Sequence, residues 1–99
     1  MPGAIELIIN AVADEFGLTA IELLSRRRTN KLAHPRFLSM HVARELTKAS
    51  YPALGKAFSK DHTSILNGVR RAEALLKDDP EFADKRRAVM TRLGQSEPT

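Results

Sequence analysis

Between Phe58 and Ile65, two residues of the kind that fill a core, stand six consecutive polar ones: Ser59, Lys60, Asp61, His62, Thr63 and Ser64. Hydroxyls, an ammonium, a carboxylate and an imidazole supply donors and acceptors at every position. Such a set suits reading a polar surface more than breaking bonds. The three histidines, His34, His41 and His62, lack the spacing of metal ligands, and no nucleophile–base pair or paired carboxylates stand out. With no cysteine in the chain, thiolate metal sites, disulfides and cysteine nucleophiles are all excluded. The expectation is a binding protein, not an enzyme, with no cofactor and no metal.

The surrounding pattern says what must hold that stretch in place. Apolar residues recur at helical spacing almost everywhere, and no segment alternates as a strand would. A first helix is expected from Ala4 to Phe16, with Ile5, Ile8, Ile9, Val12 and Phe16 on one stripe and Gly17 at its end. Thr19 and Glu22 form a capping box for a short second helix docked by Ile21 and Leu24. "SRRRTNKLAH" has no single inward face and is expected to be an exposed basic loop. Pro35 suits the first turn of a third helix, where its missing N–H costs nothing, and Leu38, Val42 and Leu46 follow as its stripe.

A brief fourth helix, "PALGKAF", would turn Leu54 and Phe58 inward. Asp61 is a good N-cap for a fifth helix through about Lys77, with Ile65, Leu66, Val69, Ala72, Leu75 and Leu76 on its apolar face. Asp79 and Pro80 open a sixth, carrying Phe82, Val89, Met90 and Leu93 and ending at Gly94. The expected architecture is all-α, about six helices around a helix-turn-helix. Residues 1–94 would form a single domain and residues 95–99 a flexible tail.

Charge is distributed unevenly. From Ser25 to Lys60 the bases are Arg26, Arg27, Arg28, Lys31, Arg36, Arg44, Lys48, Lys56 and Lys60, and Glu45 is the only acid. The rest of the chain has more acids than bases. A one-sided positive field of this kind is the footprint of a polyanion partner. A membrane partner fits poorly: no apolar run is long enough to span, and the amphipathic first helix bears Glu6, Asp14 and Glu15 without a base.

Two helices joined by a short turn, the second polar at its start, match a helix-turn-helix, whose second helix enters the DNA major groove. Asp61 can accept from cytosine N4 or cap the helix. His62 can donate to a purine acceptor, Thr63 offers a hydroxyl and a methyl, and Ser64 is a small donor for base or phosphate.

Two stretches carry a resemblance: "RRRTNKLAHPRFLSMHVARELT" and "YPALGKAFSKDHTSILNGVRRAE". They resemble the C-terminal DNA-binding domain, domain IV, of the DnaA family of bacterial replication initiators, over nearly the whole chain. The most specific part is Asp-His-Thr-Ser at the start of the fifth helix, where the family usually has Asp-His-Thr-Thr. The resemblance implies a monomeric reader of double-stranded DNA at short DnaA-box-like sites, bacterial, cytoplasmic and nucleoid-associated. It places Asp61, His62, Thr63 and Ser64 in the major groove and Arg28 in the adjacent minor groove, where a narrow A·T-rich groove concentrates negative potential. It assigns Arg36, Arg44 and Lys60 to phosphate or groove contacts. Arg26, Arg27, Lys31, Lys48 and Lys56 are further phosphate candidates.

Three departures separate this chain from the family pattern. Phe37 stands where glutamine is usual, the turn "FSKDH" has no glycine, and Ser64 replaces a threonine. No GxxxxGK[ST] occurs, so these residues supply no ATPase. The departures favour a stand-alone relative over a piece cut from an initiator. Two other readings stay open. The chain could regulate replication through contacts with the initiator or its inactivators, using its acidic first and sixth helices. It could instead be a helix-turn-helix transcription regulator, since a related fold serves the Trp repressor, although one tyrosine and no tryptophan mark no ligand pocket.

Overall fold

A computed structural model describes residues 3–27 and 29–94. It contains six helices: α1 (Ala4–Phe16), α2 (Ala20–Leu24), α3 (Asn30–Thr47), α4 (Tyr51–Phe58), α5 (His62–Asp78) and α6 (Pro80–Arg92). No strand occurs among the described residues. The expected tail, residues 95–99, lies outside them, as does Arg28.

Local sequence signals explain most helix ends. Gly17 takes the left-handed conformation, φ 69°, that releases the chain after α1. At α2 the capping box forms in full: the Glu22 N–H donates to Thr19 Oγ1 at 3.1 Å, and the Thr19 N–H to Glu22 Oε1 at 3.1 Å. The Ser50 hydroxyl accepts from the Ala53 N–H to start α4. Asp79 accepts from the N–H groups of Glu81 and Phe82 to start α6.

Two expectations need correction. α2 docks through Leu23, which is 2% exposed, whereas Ile21 is 83% and Leu24 38% exposed. A helix turns by roughly 100° per residue, so Ile21 lies on the side opposite Leu23. In this helix of five residues Leu23 is the buried anchor, with Ala20 packed partly buried against the core.

The second correction concerns α3, which begins at Asn30, with Pro35 inside it rather than at its first turn. Pro35 gives up one hydrogen bond to the preceding turn, but both it and Leu32 are buried. The apolar stripe thus extends from Leu38 back through Pro35 to Leu32, at helical spacing. Ser39, buried on the same stripe, donates its hydroxyl to the Pro35 carbonyl at 2.9 Å. The basic loop is therefore shorter than expected, and Lys31 sits in the first turn of α3.

The core gathers Ile8, Ile9 and Val12 of α1, Leu23, Leu38 and Val42, Leu54 and Phe58 of α4, Ile65 and Val69 of α5, and Phe82, Val89 and Met90 of α6. Burying each large side chain contributes about 1.5–3 kcal/mol. Both helices of the α4–α5 pair are thus rooted in the common core. α6 is also tied by charge: Arg86 Nη2 lies 2.8 and 2.7 Å from the two carboxylate oxygens of Glu45 on α3. Arg92 Nε bonds Glu15 of α1 at 2.6 Å.

Candidate nucleic-acid interface

α4, the turn Ser59–Lys60–Asp61 and α5 form the helix-turn-helix. The Asp61 carboxylate accepts from the Ser64 N–H at 3.0 Å, which caps α5. That bond, with further hydrogen bonding from Ser64, holds the Asp61 pKa below the ordinary aspartate value. Asp61 stays ionised at the positive end of α5. His62, Thr63 and Ser64 follow it, all exposed.

The turn lacks the family's glycines, and its geometry comes from two other features. Ser59 adopts the left-handed conformation at φ 55°. Within α4, Gly55 lets the turn lie directly on the helix: the Lys60 N–H donates to the Gly55 carbonyl at 2.9 Å. A Cβ on Gly55 would lie 2.6 Å from the Lys60 carbonyl oxygen. The glycine needed for a tight joint is therefore in the first helix, not in the turn.

Beside the start of α5 runs an open groove of about 360 Å³, lined by Thr29, Asn30, Ala33, Arg36, Phe37, Met40, Lys60 and Ser64. It joins the end of the basic loop, the first half of α3 and the recognition helix. A second groove of about 550 Å³ continues along α5 between Phe37, Ser64, Asn67, Gly68, Arg70 and Arg71. Phe37 and Ser64 line both. The Arg71 guanidinium sits 5.7 Å from the centre of the Phe37 ring. Phe37 is thus a packing wall under a cation, in place of a glutamine's donors.

The other candidate bases differ in what they do. Arg26, Arg27, Lys31, Lys48 and Lys56 are exposed. The Arg44 guanidinium donates to the Ala49 carbonyl and lies 4.5 Å from the centre of the Tyr51 ring, holding the α3–α4 junction. Arg36 is the most heavily engaged. Its Nε donates to the Leu23 carbonyl at 2.9 Å and its Nη1 to the Arg27 carbonyl at 2.6 Å. Its Nη2 donates to the carbonyl and hydroxyl of Ser25. Burial draws its pKa down from the ordinary arginine value.

The structure therefore brings Arg36, Lys60 and Ser64 to one groove and extends the exposed polar face of α5 to Asn67, Arg70 and Arg71. Sequence reasoning missed those last three. Their spacing from Thr63 and Ser64, three, four and seven residues on, carried the signal. The histidines remain apart. His34 packs edge-on to Phe82, and His41 faces Glu45 at 3.5 Å, its pKa lowered by burial against the opposing pull of Glu45. Among the described residues no cluster of His, Cys, Asp or Glu could hold a metal, and no helix is long and apolar enough to cross a membrane.

A six-helix fold with an exposed, capped recognition helix flanked by bases defines a helix-turn-helix domain of the nucleic-acid-reading class. The profile of the bacterial DnaA protein helix-turn-helix matches residues 5–72, and the chain belongs to that family. It is 38% identical over 90 residues to the chromosomal replication initiator protein DnaA of Caulobacter sp. (strain K31). The match covers 90% of this chain and 18% of that protein. The family is a DNA-binding one, not a catalytic one.

Proposed function

We propose that this chain is a sequence-specific reader of double-stranded DNA at DnaA-box-like sites, acting in or on the initiation of chromosomal replication. The observation that carries the reading is one groove with the exposed start of α5 on one side and the end of the basic loop on the other. That pairing suits a protein touching two adjacent grooves of a duplex. His62, Thr63 and Ser64 would face base edges in the major groove. Asp61 would act first as the cap that presents them and only second as an acceptor. Arg28 would enter the neighbouring minor groove. Lys60, Lys31, Lys48, Lys56, Arg26 and Arg27 would contact phosphate, joined by Arg70 and Arg71 farther along α5. Arg44 and Arg36 contribute charge to this face while their donors serve backbone carbonyls. The reading implies a monomer in the bacterial cytoplasm, associated with the nucleoid.

Regulation through protein contacts draws less support. The acids of α1 and α6 on which it would rest are partly engaged within the molecule. Arg92 and Lys85 bind the side chain and carbonyl of Glu15, and Arg87 pairs with Asp84.

The deciding experiment is fluorescence anisotropy with a labelled duplex carrying one DnaA box and a scrambled control, at one near-physiological salt concentration. Binding to the box at least about a hundredfold tighter is expected. Equal, salt-sensitive binding to both duplexes would overturn the sequence-specific reading.

A further inference from the structure

We infer that Arg36 is the positioning residue of the basic loop: its guanidinium fork fixes the backbone of Leu23–Arg27 against α3, and so sets where Arg26 and Arg27 meet the DNA backbone. This rests on the DNA-reading function proposed above and assigns Arg36 a role other than contact with the nucleic acid.

The chemistry of the loop makes such a device necessary. α2 is a single short helix whose last carbonyls have no partners within it, and no base lies in its own last turn. The following residues are two adjacent like charges, Arg26 and Arg27, which repel each other and favour an open chain. Locally, Ser25 supplies only a weak tie: its hydroxyl donates to the Glu22 carbonyl at 2.7 Å and accepts from the Arg27 N–H at 3.4 Å.

Arg36 supplies what is missing. It comes from the second turn of α3, beside buried Pro35, and its planar fork gathers the carbonyls of Leu23, Ser25 and Arg27 at once. A cation at a helix C-terminus is also favoured by the helix dipole. A lysine would keep the charge, but its three donors sit on one compact nitrogen and could not span three separated carbonyls. The side chains of Arg26 and Arg27 stay exposed, while the carbonyl of Arg27 is held inward. Arg36 also lines the groove shared with Lys60 and Ser64, so the loop it holds borders the same groove as the start of α5.

The test uses the whole chain with Arg36→Lys and Ser25→Ala, each checked by circular dichroism and thermal melting. Hydrogen exchange in the free protein should show loss of amide protection across Ser25–Arg27 in Arg36→Lys, with α5 unchanged. On the box duplex, Arg36→Lys should bind about tenfold more weakly although its charge is kept. Arg27→Ala should cost less in that background than in the wild type, whereas His62→Ala should cost the same in both. Ser25→Ala, which removes no charge, should weaken binding by a smaller factor. If Arg36→Lys fails to fold, Ser25→Ala and its coupling to Arg27→Ala decide the matter alone. Unchanged loop protection, additive losses with Arg27→Ala, or wild-type affinity in Ser25→Ala would each overturn the inference. Failure of the wild type to prefer the box would instead overturn the functional reading.

Discussion

The two halves of the candidate interface are built in opposite ways. The recognition end is organised by its own sequence: Asp61 caps the helix it precedes, Ser59 makes the turn, and Gly55, a few residues upstream, accepts the turn's weight. The basic loop is organised from a distance, by Arg36 reaching back to Leu23 and Ser25. Self-contained geometry tolerates changes elsewhere in the molecule and fails when one local residue is altered. Borrowed geometry fails when a remote residue is altered, even though every loop residue is intact.

That contrast can be broken at several points. The largest effect is expected for Gly55→Ala, whose Cβ would meet the Lys60 carbonyl at 2.6 Å. Because the neighbour is backbone, relief requires the turn to move, and a stability loss of about 1–3 kcal/mol is expected by denaturant unfolding. Affinity for the box should fall with it, since α5 is displaced, while loop protection at Arg27 persists.

His62→Ala should leave stability unchanged and cost about 1–3 kcal/mol on the box, with little loss on random DNA. Equal losses on both duplexes, read by anisotropy, would remove His62 from base reading.

Asp61 separates capping from charge. Asp61→Ala should lower the melting temperature by about 4–8 °C, the scale of one lost N-cap in a domain of this size. Asp61→Asn should keep the cap and change the pH dependence. The native pKa of Asp61 is depressed by the Ser64 N–H, so its contribution to stability is present above the ordinary aspartate value and lost as pH falls through and below it. Wild type should therefore lose more stability than Asp61→Asn in acid, as followed by thermal melts across the acidic range.

The smallest effect is expected for Lys56→Ala, exposed on α4. It should weaken binding to every duplex alike and reduce the slope of log K against log salt by about one.

The same contrast marks how much was legible in the sequence. α1, α4, α5 and α6 were readable because their caps and stripes lie within a few residues of one another. The start of α3 was not, because the ordinary place for a proline competes with the packing of Leu32 and Pro35, and only the core decides between them. α2 was placed correctly but turned the wrong way, since Ile21, Leu23 and Leu24 are chemically interchangeable as anchors. At the candidate site, the polar run from Ser59 to Ser64 announced an exposed helix start. The engagement of Arg36 and Arg44 by carbonyls could not be read, because backbone acceptors have no letter in a sequence. Asn67, Arg70 and Arg71 could have been, by carrying the exposed face of α5 one turn further.

The bond between Arg86 and Glu45 has an electrostatic consequence. Glu45 is the only acid between Ser25 and Lys60 and would by itself place a negative centre within an otherwise positive span. With Arg86 against it, the pair presents no net charge. Within that span no other acid stands against the bases. α6 lies beyond the 5–72 stretch that matches the family profile, so a helix at the edge of the domain shapes the field through which DNA would be drawn in.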